Sequence, residues 1–191
     1  MQDHELIEKI KAGDSHAFKE LFEHYNSLVI NICYKLVGNK EEAEDLTQEV
    51  FFKVYKSAKF FKQRSKFSTW IYRIAVNLSL NHLRKKRQLR WISLDNSSKQ
   101  TDGENLNTLP APSVDQPDVF LEQKENEKII WKMINLLPEN QRVALILHRY
   151  EGLRCQEIAD ILECSIGSVQ ARLHRAKENL QKKFFLYLKE F

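Results

Sequence analysis

The chain holds 191 residues, 42% hydrophobic and 29% charged, a balance that excludes a disordered chain and suits one large or two small globular domains. Five glycines and four prolines are too few for turn-rich β architecture, and no apolar run of about 18 residues offers a membrane span. The net charge of +4 hides a sharp asymmetry: residues 1–50 carry eleven acids and five bases, whereas residues 51–94 carry twelve bases and no acid. An acid-free basic block points to a polyanionic partner, bound by phosphate neutralisation and counterion release.

The N-terminal MQDHELIEKIKAGD is polar and acidic, unlike a signal peptide. Residues 14–37 read as a helix: Asp14 is placed to cap it, and Ala17, Leu21, Tyr25, Leu28, Ile32 and Leu36 recur at the spacing of one buried face. Gly38 suits the stop. Asn39 caps a second helix, with Glu42 three residues on as in a capping box, running to about Phe61 with Ala43, Leu46, Val50, Val54, Tyr55 and Ala58 inward. A basic loop, Lys62-Gln63-Arg64-Ser65-Lys66, precedes a third helix over 67–90 with Ile71, Ile74, Ala75 and Leu78 as its core stripe.

Residues 91–117 are rich in Ser, Asn, Asp, Thr and Pro and poor in apolar residues. They read as a flexible acidic linker, able to span up to about 90 Å if fully extended. Helical patterning resumes from Asp118: one helix over roughly 118–136, another from Pro138 to Gly152, then two short helices and a charged tail. The expected fold is all-α: domains at 1–90 and 118–191 joined by the linker.

Residues 155–174, CQEIADILECSIGSVQARLH, have the logic of a helix-turn-helix. Ile158, Ala159, Ile161 and Leu162 give a short helix one apolar face, Cys164 to Gly167 form the turn, and Ser168 caps a second helix packed through Val169 and Leu173. The small Ala159 lets the helices approach and Val169 fills the gap; the second helix of such a unit enters the major groove N-terminus first. Glu163 stands where this turn often has Gly, at some cost in strain. Gln170, Arg172 and Arg175 can donate to base edges or phosphates. An ordinary helical hairpin is the alternative on this motif alone.

Two further motifs lie upstream. In AEDLTQEVFFKVY, residues Asp45, Gln48, Glu49 and Phe52 fall at i, i+3, i+4 and i+7, a stripe opposite the apolar one. A large aromatic inside an acidic stripe indicates a partner surface. In KFSTWIYRIAVN and the residues after it, Thr69, Arg73, Asn77, Asn81 and Arg84 form a polar stripe, and Phe60, Phe61, Phe67, Trp70 and Tyr72 interleave with cations. Stacking platforms beside cations suit single-stranded nucleic acid, although a core role for most of these rings is the alternative.

These stretches, with KFSTWIYRIAVNLSLNHLRKKR and LLPENQRVALILHRYEGLRCQEIADILECSIGSVQARLHRAKENL, resemble the sigma-70 family, specifically its small two-domain extracytoplasmic function (ECF) branch. The resemblance covers nearly the whole chain outside the linker, in the family's order. It implies an RNA polymerase sigma factor. Asp45, Gln48, Glu49 and Phe52 would dock on the β′ clamp helices. Residues 60–90 would melt the −10 element and hold a flipped non-template base, with Asn77 lining the pocket and Lys62, Arg64, Lys66, Trp70, Arg73, Asn81 and Arg84 nearby. The linker would thread the RNA-exit path. The C-terminal domain would contact the β flap and read the −35 element through Ser168, Gln170, Ala171, Arg172, His174 and Arg175. An anti-sigma factor is implied as partner. Gln170, Ala171 and Arg154 depart from the family's usual Lys, Ser and Ser, which puts the −35 preference in doubt.

Two rivals stand beside this reading. A dimeric helix-turn-helix regulator would bind palindromic duplex without polymerase and leave residues 39–90 unexplained. A nucleic-acid enzyme would need paired carboxylates or metal-spaced His and Cys, which the basic block lacks. No catalytic residue, metal or cofactor is expected. Cys33, Cys155 and Cys164 show no CxxC spacing and read as free thiols of a reducing cytoplasm.

Overall fold

The computed structural model describes residues 3–61, 66–95 and 127–189. Every regular element among them is helical: α1 (Asp3–Lys11), α2 (Ser15–Val37), α3 (Lys40–Ser57), a 3-10 turn (Ala58–Phe60) and α4 (Phe67–Asp95), then α5 (127–135), α6 (Glu139–Arg149), α7 (Cys155–Leu162) and α8 (Ile166–Lys189). The chain divides into two compact units, Met1–Thr101 and Asp102–Phe191. The fold class is all-α, as the sequence indicates.

The first unit is built on α2, α3 and α4, each packed on the other two, with α1 laid on α2. Leu21, Val29, Ile32, Val50, Ile71 and Ala75 are fully enclosed at their junction. Asp14 caps α2, its Oδ1 accepting from the His16 and Ala17 amides at 2.8 and 3.2 Å. Gly38 ends α2 at φ 75°, a left-handed conformation that only a residue without Cβ adopts freely, and its amide donates to Tyr34 O. The N-terminal stretch that reads as polar is itself helical: Leu6, Ile7 and Ile10 are buried, and Tyr25 Oη donates to Asp3 Oδ2 at 2.7 Å.

Several local expectations change. Tyr55 is not inward; it is 52% exposed, its ring edge-on to Phe18. α3 stops at Ser57 and Phe61 is non-helical but buried. The Asn39 half of the capping box forms, with Oδ1 accepting from the Glu42 amide at 2.9 Å, but the Glu42 carboxylate is engaged by α4. Thr69 leaves the polar stripe for the core, and Ile74 is only half-buried. α4 continues to Asp95, five residues into the stretch read as linker; the rest of that stretch, and residues 118–126, lie outside the described residues.

In the second unit α6 and α7 pack on α8. Pro138 is the N-cap of α6 rather than its first residue, and α6 ends at Arg149. Asn179 Nδ2 donates to Gln141 Oε1 at 2.8 Å, tying α8 to α6. At α7 the Arg154 side chain has no acceptor to offer, so only the return half of a capping box forms, Glu157 Oε2 accepting from the Arg154 amide at 3.0 Å. Ala159 and Val169 are buried at the α7–α8 contact, as their sizes require. Ser165, not Ser168, caps α8: its Oγ accepts from the Ser168 amide at 3.2 Å. A Ser at position 168 is already inside the first turn.

Glu163 makes the turn at φ 51°, ψ 47°. Left-handed backbone costs a side-chain-bearing residue about 1–2 kcal/mol. Glu163→Gly should therefore stabilise the second unit by about 1 kcal/mol, after allowance for the greater chain entropy of Gly. Thermal melting checks this; a midpoint that falls would show that Glu163 contributes more than its backbone strain costs.

Candidate functional site

The first surface lies on α3. Its inner stripe, Ala43, Leu46, Val50 and Val54, is buried against α2 and α4. A helix with one face so committed must present the other, and Asp45, Gln48, Glu49 and Phe52 are all exposed there together. Phe52 is 58% exposed, and Lys56 Nζ sits 4.2 Å from its ring centroid. That cation–π contact is worth only about 0.5–1 kcal/mol at an exposed site and leaves the rest of the ring open. The stripe thus joins three hydrogen-bonding side chains to one apolar anchor.

The second surface lies on α4 and the turn before it. Phe67 is buried, and its ring meets Tyr25, Phe61 and Trp70 at centroid distances of 5.1, 5.7 and 5.4 Å. Trp70 also packs on Phe61 at 5.0 Å and is half-buried, so one part of its ring is core and another is accessible. Tyr72 is buried, while Phe60 is 67% exposed beside Lys59. The aromatic group therefore splits: most rings build the core, and Trp70 and Phe60 reach the surface. Beyond Trp70, the side chains of Asn77, Asn81 and Arg84 are exposed along one face, with Arg73 half-buried below them and Lys66 exposed at the helix start. Lys62 and Arg64 lie outside the described residues.

The third surface is the first half of α8. Gln170, His174 and Arg175 are exposed, while Ser168, Ala171 and Arg172 are half-buried. His174 Nε2 lies 3.5 Å from Glu178 Oε1, one turn on. Ile166, at the first helical position and 40% exposed, joins this face without a sequence signal that marks it. The aligned backbone dipoles of the helix give the start of α8 a partial positive end facing any phosphate brought to it.

Two features have no counterpart in the sequence reading. Glu42 on α3 bonds both His82 and Lys86 on α4. In the second unit an open apolar cleft of about 620 Å³ runs between α5, α6 and α8, lined by Ile130, Ile134, Leu145, Tyr150, Leu173 and Leu180 among others. Neither forms from neighbours in sequence, so periodicity alone could not expose them. Elsewhere, Cys33 is fully buried, and burial pushes its thiol up to about 11, so it sits protonated and enclosed rather than poised for attack. Among the described residues no group of three or more His, Cys, Asp or Glu could hold a metal, and no helix is long and apolar enough to cross a membrane.

Residues 21–89 match the sigma-70 region 2 family, and residues 127–180 match sigma-70 region 4. The ECF RNA polymerase sigma factor SigW of Bacillus subtilis is 34% identical, over 92% of this chain and 93% of its own length. The RNA polymerase sigma-H factor of Pseudomonas aeruginosa is 33% identical over 99% and 97%, and the ECF sigma-E factor of Escherichia coli 33% over 96% and 94%. Among solved structures, CnrH in complex with the cytosolic domain of CnrY superposes with a TM-score of 0.66 at 17% identity, covering 95% of this chain and 96% of that one. The sigma factor RpoE of Bartonella quintana, in complex with the anti-sigma factor NepR, superposes with a TM-score of 0.62 at 24% identity, covering 86% and 94%. These two share the fold.

Proposed function

Because this chain belongs to the ECF branch of the sigma-70 family, we propose that it directs core RNA polymerase to a set of promoters and melts their −10 element. The relatives are sigma factors, regulatory rather than catalytic proteins, and this chain acts by binding alone. The observation that carries the reading is the pairing of two unlike surfaces on adjacent helices of one unit. An exposed acidic and aromatic stripe on α3 accompanies an exposed Asn and Arg face on α4.

Asp45, Gln48, Glu49 and Phe52 dock on the β′ clamp helices, Phe52 as the apolar anchor. Asn77 and Asn81 offer amides, able to donate and accept, to the edge of an unstacked base; Trp70 offers the accessible part of its ring for stacking. Arg73, Arg84 and Lys66, with Lys62 and Arg64, neutralise the backbone. A duplex base must leave its stack to use such a face, at a cost of about a few kcal/mol offset by stacking and hydrogen bonding. The domains divide the work: 1–95 holds the clamp and the −10 strand, 96–117 threads the RNA-exit path, and 118–191 reads the −35 duplex through Ser168, Gln170, Ala171, Arg172, His174 and Arg175. The cleft between α5, α6 and α8 offers the β flap an open apolar seat. The NepR complex of the related fold supports an anti-sigma partner here too, and, as a subunit of RNA polymerase, the chain works in the cytoplasm.

Footprinting separates this reading from a dimeric regulator. Promoter duplex should be protected only when core polymerase is added with the chain. Full protection by the chain alone, across a palindrome, would favour the regulator.

A further inference from the structure

Hydrophobic packing along α4 stops before the helix does. Leu80 is the last buried residue of α4 whose side chain is described; from Asn81 to Leu89 every side chain is half-buried or exposed. Yet Asn81 and Arg84, two members of the proposed single-strand face, lie in that outlying stretch. Apolar burial there comes down to the half-buried Leu83 and holds these turns only weakly.

Glu42 occupies the gap. It stands in the first turn of α3, where an acid is favoured by the helix dipole, and its side chain is only 23% exposed. Glu42 Oε2 accepts from His82 Nε2 at 2.8 Å, and Oε1 accepts from Lys86 Nζ. His82 and Lys86 are one helical turn apart and so lie on one side of α4. At 100° per residue that side is opposite Asn77, Asn81 and Arg84. One carboxylate therefore grips the back of the helix whose front carries the DNA face. Burial opposes the Glu42 charge, but the bonds from Lys86 and His82 prevail and hold its carboxyl below the usual carboxylate range.

We propose that Glu42 is a positioning residue for −10 recognition: through His82 and Lys86 it fixes the overhanging turns of α4, so that Asn81 and Arg84 meet the single strand in one geometry. The grip originates on α3, just ahead of Asp45, which links the polymerase-docking helix to the DNA-reading one. Because Glu42 touches neither partner, its loss blurs sequence discrimination while leaving sequence-independent attraction in place. The inference rests on the promoter reading above.

The test uses holoenzyme assembled from the full chain and core polymerase. A random-sequence single-stranded library is selected on the wild type, and affinities are then measured for the enriched oligonucleotide and a scrambled one. Glu42→Gln should lower the ratio of the two affinities roughly tenfold, the worth of one charge-assisted hydrogen bond. Scrambled binding, its salt dependence and core affinity should hold, none of which a general loss of fold would spare. Lys86→Gln in the Glu42→Gln background should add little, because the pair acts as a unit. If Glu42→Gln melts below the assay temperature, Lys86→Gln alone carries the test and should lower the ratio by about threefold or more. A ratio unchanged in the folded variant would overturn the inference. Enrichment of no sequence by the wild type would remove the promoter reading and this inference together, whereas an enriched sequence with equal affinity ratios for wild type and variant would remove this inference alone.

Discussion

Asp45→Arg combined with Gln48→Ala should weaken binding to core RNA polymerase by roughly 30-fold or more, since a reversed charge and a lost hydrogen bond at a packed interface cost about 2–5 kcal/mol. The two side chains are exposed and belong to the stripe of α3 opposite its buried residues, so the variant should fold and melt as the wild type does. The effect is directional. Arg at 45 places a cation on a stripe whose other charged member, Glu49, is acidic, so the local field changes sign where the partner docks. Equilibrium binding of labelled protein to core polymerase reads the result. Affinity within twofold of wild type would mean that α3 docks by another face.

The second large effect is expected in the other unit. Val169→Asp buries a carboxylate at a position with no exposed surface, between α7 and α8. An unpaired charge there costs about 4 kcal/mol or more, comparable to the whole stability of a small helical domain. The α7–α8 angle, and with it the recognition helix, should be lost, so that −35 duplex binding falls to the sequence-independent background. Core binding through α3 should persist. Gln170→Ala and Arg175→Ala should by contrast cost about 1–3 kcal/mol each in duplex affinity with no change in fold. Circular dichroism with duplex binding by the holoenzyme separates the two kinds of loss. A folded Val169→Asp variant that still selects its duplex would refute the packing assignment.

Much of this architecture is legible along the chain because it is local. Asp14, Gly38 and Asn39 punctuate α2 and α3 through bonds to neighbours two to four residues away. The 3.6-residue period places Ala43, Leu46, Val50 and Val54 inside and Asp45, Gln48, Glu49 and Phe52 outside, and the structure agrees. The Ala159 and Val169 pair is equally readable, since small and β-branched residues at a helix crossing have a steric reason to be there.

Other features are decided by tertiary context. Tyr55 continues the apolar stripe by period, yet α2 offers it only the edge of Phe18, so it stays half outside. Ser165 and Ser168 are both plausible caps, and the choice between them turns on where the chain leaves the left-handed Glu163. Glu42 has the spacing of a capping box, but His82 and Lys86, forty and forty-four residues away, compete for its carboxylate more strongly than one backbone amide does. Leu6, Ile7 and Ile10 are too few to stand out against a charged background until α2 supplies the surface they cover. Except at the Ser165 cap, which Glu163 decides locally, the deciding contact is distant in sequence.

The central claim is that this chain confers promoter choice on RNA polymerase. Its most direct measurement is transcription in vitro by core polymerase, with and without the purified full-length chain, on a library of bacterial promoter fragments, with transcript 5′ ends mapped. The account predicts that the chain produces discrete new start sites sharing a −35 and a −10 sequence, and that Asn77→Ala reduces initiation at them. An unchanged set of start sites, with the chain failing to co-purify with core polymerase, would contradict it.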